Sequence, residues 1–387
     1  MDVRRTRWAG VAACLLATTV LVVLVGVLVP GSMVDLTVYR AGGLSLVRGI
    51  PLYTGEFPAK LPFTYPPFAA VVFSWLGVVP WPVAVGVITV AGLAALAAVV
   101  ALVAPSRAVP LAAVAVGVGL AVEPIRDTLL FGQINLVLMG LVAADCLLPK
   151  VRHPRGMLIG IAAAAKLTPA FFVLFFLARR QFAPAVTAVV AFGGATGVAM
   201  LLTPSDSITY WTATVFDTDR IGGAAFATNQ SLRGALHRLG LDPFEERTLW
   251  LLLACSVLLL AWHAARRAHE ADEPVLALLV VAAAGLLVSP VSWSHHWVWV
   301  APALVWAVVR FRRWTLLVPA AVFVAGQRWL PHGDDQELAW LGWQHVIGNG
   351  YLLAAVGFLV WAGLGAGGPA RDVANSYEEV GVTRPDS

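Results

Sequence analysis

Long apolar runs separated by short polar punctuation dominate the chain, and the length of each run limits what it can be. A helix needs about 20 apolar residues to cross a bilayer, and backbone groups in lipid are satisfied only inside helices or closed barrels. Trp8 to Val29, Pro82 to Ala104 and Pro184 to Leu202 meet that length. Val109 to Val122, Asn135 to Leu148, Leu249 to Trp262, Val275 to Val288, Val298 to Val309, Leu316 to Leu330 and Val346 to Leu364 read as further crossings. Two runs do not fit a plain crossing. Pro67 to Val79 is too short and reads as an amphipathic or re-entrant segment. Gly156 to Ala178 is interrupted at Lys166-Leu167-Thr168-Pro169, where a mid-run proline predicts two short helices with a break between them. The expected fold is all-α and polytopic, with about 11–12 membrane helices.

Charge orients these elements. Arg4, Arg5 and Arg7 precede the first run, and further basic groups stand at Lys150 to Arg155, Arg179-Arg180, Arg266-Arg267 and Arg310 to Arg313. The positive-inside rule then places both termini in the cytoplasm, and a break at Lys166 keeps the clusters on either side of that run on one face. Residues 1–366 are expected to form a single transmembrane catalytic domain, and 367–387 a disordered cytoplasmic tail. Composition agrees with a membrane protein. Apolar residues make up 59%, charged residues 12% and mean hydropathy is +0.81, against about 25% charged residues in an ordinary soluble domain. The net charge of +4 arises mostly from the arginines at helix ends, so it is a topology signal and not a nucleic-acid footprint. The first run lacks a small-x-small cleavage pattern and reads as a retained helix. Cys14, Cys146 and Cys255 each lie inside an apolar run without metal-ligand spacing and read as core residues.

With that topology the remaining polar groups gather at the outer face. The stretch VDLTVYRAGGLSLVRGIPLYTGEFPAKLPFTYPP carries Asp35, Tyr39, Arg40 and Tyr65. Asp35 is either an interfacial carboxylate paired with Arg40 or Arg48, or a general base able to accept a proton from a hydroxyl. Lys166 is a lone charge in a long apolar run, costing about 3 kcal/mol on insertion scales, and so either partners a carboxylate or binds phosphate. In NQSLRG, Asn229, Gln230 and Arg233 begin a short helix and suit either capping or a phosphate contact. Asp127, Gln133 and Asn135 offer hydrogen bonds suited to sugar hydroxyls, although Asn135 could equally cap a helix. His295 and His296 lie among tryptophans that suit an interfacial belt. Adjacent histidines cannot both face one way on a helix, so one of them is expected to serve an anionic head group.

No Walker loop, dinucleotide fingerprint, HExxH or GxSxG stands in a suitable context, which argues against a soluble nucleotide-sugar donor. The one-sided grouping of polar residues favours an external site over a through-path. A transporter or lipid flippase is the competing class, and it should show internal repeats with paired broken helices. In order, VDLTVYRAGG, GIPLYTG, FTYPPFAAVVFSWLGVVP, FGQINLVL, AAAAKLTPAFF, NQSLRG and SPVSWSHHW resemble the actinobacterial membrane mannosyltransferases of glycosyltransferase family 87, in the polytopic GT-C class. The resemblance implies transfer of mannose from polyprenyl-phosphate-mannose to a glycolipid or glycan, forming an α-(1→2) linkage at the outer face of the plasma membrane. It also implies Asp35 as general base and juxtamembrane helices in the first external loop. Lys166, Arg233, His295 and His296 are then expected at the donor phosphate, and Tyr39, Arg40, Tyr65, Asp127, Gln133, Asn135, Asn229 and Gln230 around the substrates. Neither metal nor cofactor is expected.

Overall fold

The computed structural model describes residues 3–54, 57, 59, 61–311, 319–324 and 326–365. Glu56, Lys60, Arg312, Arg313 and the polar tail therefore lie outside the described residues. The described residues are mostly helical, and the one extended pairing among them is an isolated antiparallel bridge between Asn229 and Trp293. The helices run in order as α1 (Val3–Leu28), α2 (Val34–Arg48), α3 (Pro67–Phe73), α4 (Trp81–Val103), α5 (Ala108–Val118) and α6 (Glu123–Phe131). Then come α7 (Asn135–Leu147), α8 (Met157–Ala165), α9 (Val173–Ala178), α10 (Phe182–Leu202), α11 (Pro204–Thr212) and α12 (Leu232–His237). The last five are α13 (Pro243–Glu270), α14 (Pro274–Val288), α15 (Val300–Phe311), α16 (Gly342–Gly348) and α17 (Gly350–Gly363).

Among the described residues α4, α10 and α13 are each long and apolar enough to cross a membrane, and α16 and α17 form a pair bent by 70°. Other apolar helices are shorter than a full crossing, among them α7 and α14. The chain is an all-α membrane protein in which full-length apolar helices alternate with shorter and bent ones. The Pro67 segment is short, as its length requires: α3 gives way to a 3₁₀ turn over Ser74–Gly77. Tyr39 of α2 stacks on Phe73 at 4.3 Å between ring centres, which ties α2 and α3 together.

The run around Lys166 doubles back. Gly156 and Gly160 lie so close to α10 that a Cβ on either would strike the carbonyl of Pro184 or Ala188. Both contacts advance in the same direction, so α8 and α10 are parallel and the chain must reverse between them. The reversal occurs at Lys166, where the backbone turns extended before a 3₁₀ turn over Thr168–Phe172 leads into α9. At the other end of α8 the buried Asp145 carboxylate accepts hydrogen bonds from the Ile159 amide at 2.9 Å and from His153 at 3.1 Å, satisfying a helix-terminal N–H.

Two expectations need correction. The crossing expected from Leu249 begins earlier, at Pro243, because Asp242 caps it. Its carboxylate accepts from the amides of Phe244 and Glu245 at 2.9 and 3.1 Å, Pro243 follows at the first position, and Glu245 and Glu246 occupy the first turn. The crossing expected over Leu316 to Leu330 is absent from its described part, which forms 3₁₀ turns over Pro319–Val324 and Gly326–Trp329. Gln327 is buried there and donates to the Glu123 carboxylate, a polar attachment that a lipid-facing helix could not make.

Gly132 ends α6 in the left-handed region at φ 69°, and a Cβ there would lie 2.6 Å from that of Leu36. Gly132→Ala is expected to lower stability by about 1–3 kcal/mol through strain at this turn. Thermal unfolding in detergent should therefore show a lower midpoint than the wild type, and an unchanged midpoint would remove the turn as a constraint.

Candidate active site

Asp35 lies in the first turn of α2, where a carboxylate complements the positive helix end. The entry to α2 is fixed by Met33, which is fully buried, takes a left-handed conformation at φ 56° and donates its amide to Leu130 at 2.8 Å. Tyr39 follows Asp35 by one turn and shares its face. Its hydroxyl donates to Oε1 of Gln133 at 2.6 Å. Tyr65, delivered by the Pro-Pro segment, donates its hydroxyl to Asp35 at 3.3 Å and accepts from Gln133 Nε2 at 3.3 Å. Tyr53 in turn holds the Tyr65 carbonyl at 2.5 Å.

Gln133 reaches this position because the Gly132 turn redirects the chain after α6, with the Gln133 amide returned to Thr128 at 2.8 Å. Two residues on, Asn135 opens α7. From the hairpin tip Lys166 donates to Asn135 Oδ1 at 2.8 Å and to Gln133 Oε1 at 3.4 Å, and its ammonium stands 5.6 Å from the centre of the Tyr65 ring. A 3₁₀ turn over Ser294–Trp299 brings in the histidines. His295 Nε2 is 3.5 Å from Gln133 Nε2, and His296 Nε2 is 3.4 Å from Lys166 Nζ. Both rings reach the cluster on this tighter turn, at right angles to one another with centres 4.7 Å apart, where a regular helix would turn them apart. An ammonium can only donate, so His296 Nε2 accepts and its proton sits on Nδ1, a buried atom with no partner.

The cluster thus joins Asp35, Tyr39, Tyr65, Gln133, Asn135, Lys166, His295 and His296, drawn from five separate segments. Asp35 lies outside the spanning segments. Burial pushes its carboxyl above the usual range, while the charge of Lys166 and the hydrogen bonds from Gln133 and Tyr65 pull it back. A carboxylate near an ammonium and bridged by neutral donors can take a proton from a hydroxyl, and the ammonium can hold an anion beside it.

The other expected residues stand elsewhere. Arg233 is engaged by Glu246 at 3.0 Å and by Thr218 at 3.0 Å. Arg40 lies over the Trp81 ring, 5.9 Å from its centre. Asn229 and Gln230 are fully buried and spent on backbone: Asn229 accepts from the amide of Ser292, and Gln230 joins Ala227 and Gly348 to Tyr351. They shape the loop that carries the histidines.

Asp127 belongs to a supporting network that the sequence did not reveal. It accepts from Ser294 at 2.9 Å and from Arg328 at 2.6 Å. Arg328 also donates to Glu123 at 2.5 Å, and Glu123, fully buried, accepts from Gln327 and from Tyr351 at 2.5 Å. Thr128 and Asn135 hold the His295 carbonyl at 3.0 and 2.7 Å. The sequence signal was faint: two acidic residues one turn apart in EPIRD, and a distant arginine in a stretch read as a span.

A buried polar cluster with a carboxylate, a lysine and paired histidines, set among apolar helices, has the proton acceptor and the cation that an anionic, hydroxyl-bearing substrate would require. The family model for glycosyltransferase family 87 matches residues 63–290. A polyprenol-phosphate-mannose-dependent alpha-(1-2)-phosphatidylinositol mannoside mannosyltransferase of Mycobacterium tuberculosis is 40% identical over 363 residues, covering 86% of this chain and 84% of the relative. The protein of the same description from Mycolicibacterium smegmatis is 41% identical over 371 residues, covering 86% and 83%. A pentamannoside mannosyltransferase of Mycobacterium tuberculosis is 35% identical over 366 residues, covering 85% and 81%. No solved structure matches the chain. The chain belongs to glycosyltransferase family 87.

Arg328 is 36% exposed yet is the cation shared by two buried carboxylates. Arg328→Met should cost about 1–3 kcal/mol, less than a fully enclosed pair because water screens one side. Thermal unfolding in detergent reads the loss, and Arg328→Lys should restore part of it. Equal midpoints for all three proteins would deny the network a structural role.

Proposed function

We propose that this chain transfers mannose from polyprenyl-phosphate-mannose to a mannosylated glycolipid, forming an α-(1→2) linkage with inversion, with Asp35 as the general base. The observation that carries the reading is the link from Asp35 through Tyr65 and Gln133 to Lys166, which sets a proton acceptor beside a fixed cation. The names of the relatives supply the donor and the class of acceptor.

In this mechanism Asp35 takes the proton of the acceptor 2-hydroxyl as that oxygen attacks the anomeric carbon. The bond from that carbon to the phosphate oxygen breaks, and polyprenyl phosphate leaves with the bonding pair, so a β-linked donor gives an α-linked product. Lys166 offsets the charge that grows on the departing phosphate, as preorganised cations do in a dry site. The free Nδ1–H of His296 is a further donor for a phosphate oxygen. Gln133 and Asn135 hold the ammonium in place, and Tyr39, which is buried, acts through Gln133. We place the Asp35 end of the bundle at the outer face of the plasma membrane and both termini in the cytoplasm, on the distribution of arginine clusters along the chain.

Purified protein with polyprenyl-phosphate-mannose and mannolipid acceptors tests the reading. Asp35→Asn should lower kcat by about 10²–10⁴-fold, the range of a lost general base, with little change in KM for the donor. Equal turnover in the two proteins would remove Asp35 from the role, and movement of lipid without sugar transfer would favour a transporter.

Lys166 also bears on the pH dependence. Its charge lowers the Asp35 pKa, so Lys166→Met should raise that pKa, leave less carboxylate at a given pH and move the acid limb of kcat/KM to higher pH. A profile that only drops in height would mean that the two groups are not coupled.

A further inference from the structure

An apolar cavity of about 350 Å³ opens beside the polar cluster. Asn135 and His296, both hydrogen-bonded to Lys166, form its polar end. From Asn135 it follows α7 past Leu138 and Met139 to Val142, about 10 Å along the helix axis. Phe171 and Phe172 of the hairpin's return arm form one wall, and Gly285 and Leu286 of α14 another. A second apolar cavity, of about 820 Å³, lies among α14, α15 and α17. Leu286 and Trp299 line both, but the second takes no residue from the cluster around Lys166.

The first cavity therefore has one hydrogen-bonding end, whose Asn135 and His296 contact the Lys166 ammonium behind them, and an otherwise apolar lining interrupted by Thr168, Ser289 and Ser292. The ligand that matches both is an anionic ester of an apolar chain, its head at Asn135 and His296 beside Lys166 and its chain running along α7. At 350 Å³ the space is near the lower end of the range of about 300–1,000 Å³ for ligand pockets. It suits the units next to the phosphate and not the whole of a long carrier. The wall also has no slack at Gly285, where a Cβ would stand 2.9 Å from Phe171 Cδ1. A larger residue there drives the phenyl ring into the cavity.

We propose that this cavity holds the first isoprene units of the donor lipid and that recognition of the chain ends with it, the remaining units lying in the bilayer. The proposal rests on the donor reading above. It commits the smaller cavity to the isoprenoid because Asn135 and His296 belong both to its lining and to the cluster that would hold the phosphate.

Mannosyl phosphates bearing isoprenoid chains of increasing length test it. With the wild type, kcat/KM should rise over the first few units and then level off. Gly285→Leu narrows the cavity, and Ala170→Trp does so from a more exposed position of the hairpin. Each should remove at least tenfold of the advantage of isoprenoid donors over a methyl mannosyl phosphate. Ala354→Trp, which fills the second cavity, should leave the length profile unchanged. A profile that climbs along the whole series would overturn the proposal, as would loss of length preference in Ala354→Trp alone.

Should both narrowing variants misfold, the unaltered protein still decides. An isoprenyl phosphate with a diazirine on its second unit should label α7, residues 168–172 or α14. Labelling on α15 or α17, or labelling of α7 and α14 by an acceptor acyl chain in its place, would overturn the assignment. This probe carries no sugar, so its result stands apart from the donor reading, which fails if no mannosyl donor of any length is used.

Discussion

An ammonium buried at the tip of a broken hairpin is the constraint around which the rest is built. Lys166 is 8% exposed, and a charge withdrawn from water must be met by oriented dipoles or an opposite charge. Its hydrogen-bond partners are two amides and an imidazole, from Asn135, Gln133 and His296. Each partner sits where it does for a backbone reason: a left-handed glycine before Gln133, the start of α7 at Asn135, a 3₁₀ turn at His296. Neutral partners solvate the cation without cancelling it. It keeps the capacity to take an anion, and it still acts on the Asp35 carboxyl.

Much of the frame was legible in the sequence because apolar run length and proline position are local signals. The hairpin at Lys166, the short Pro67 segment and the limits of α4 and α7 follow from them directly. Asp35 and Lys166 stood out for the same reason, as charges where the surroundings were apolar. Arg233, Asn229 and Gln230 were harder, because residue types that suit phosphate also suit carboxylates and loop carbonyls, and only the fold chooses between them. Glu246 took the arginine, and the backbone of the histidine loop took the two amides. The start of α13 was written in Asp242-Pro243 but masked by the polar turn that follows.

The network of Glu123, Asp127 and Arg328 was illegible for a different reason. Its arginine lies 205 and 201 residues from the two carboxylates that it joins, and one of those carboxylates also holds Ser294 beside the histidines. Such an arrangement adds a charged attachment to a 3₁₀ turn that Trp297, Val298 and Trp299 already anchor in the core. Tyrosines and amides meet Asp35 and Lys166, and ion pairs behind them attach to the loop that carries the histidines.

The parallel packing of α8 on α10 also bears on how the protein is assembled. Nine residues of α8 rise only about 13 Å, well short of a bilayer, so this arm cannot hold its depth alone. It packs along α10 and is held by α7, whose Asp145 accepts from the Ile159 amide; α10 gives no side chain to the polar cluster yet comes later in the chain. The position of the buried cation thus depends in part on packing against an element that follows it in the chain.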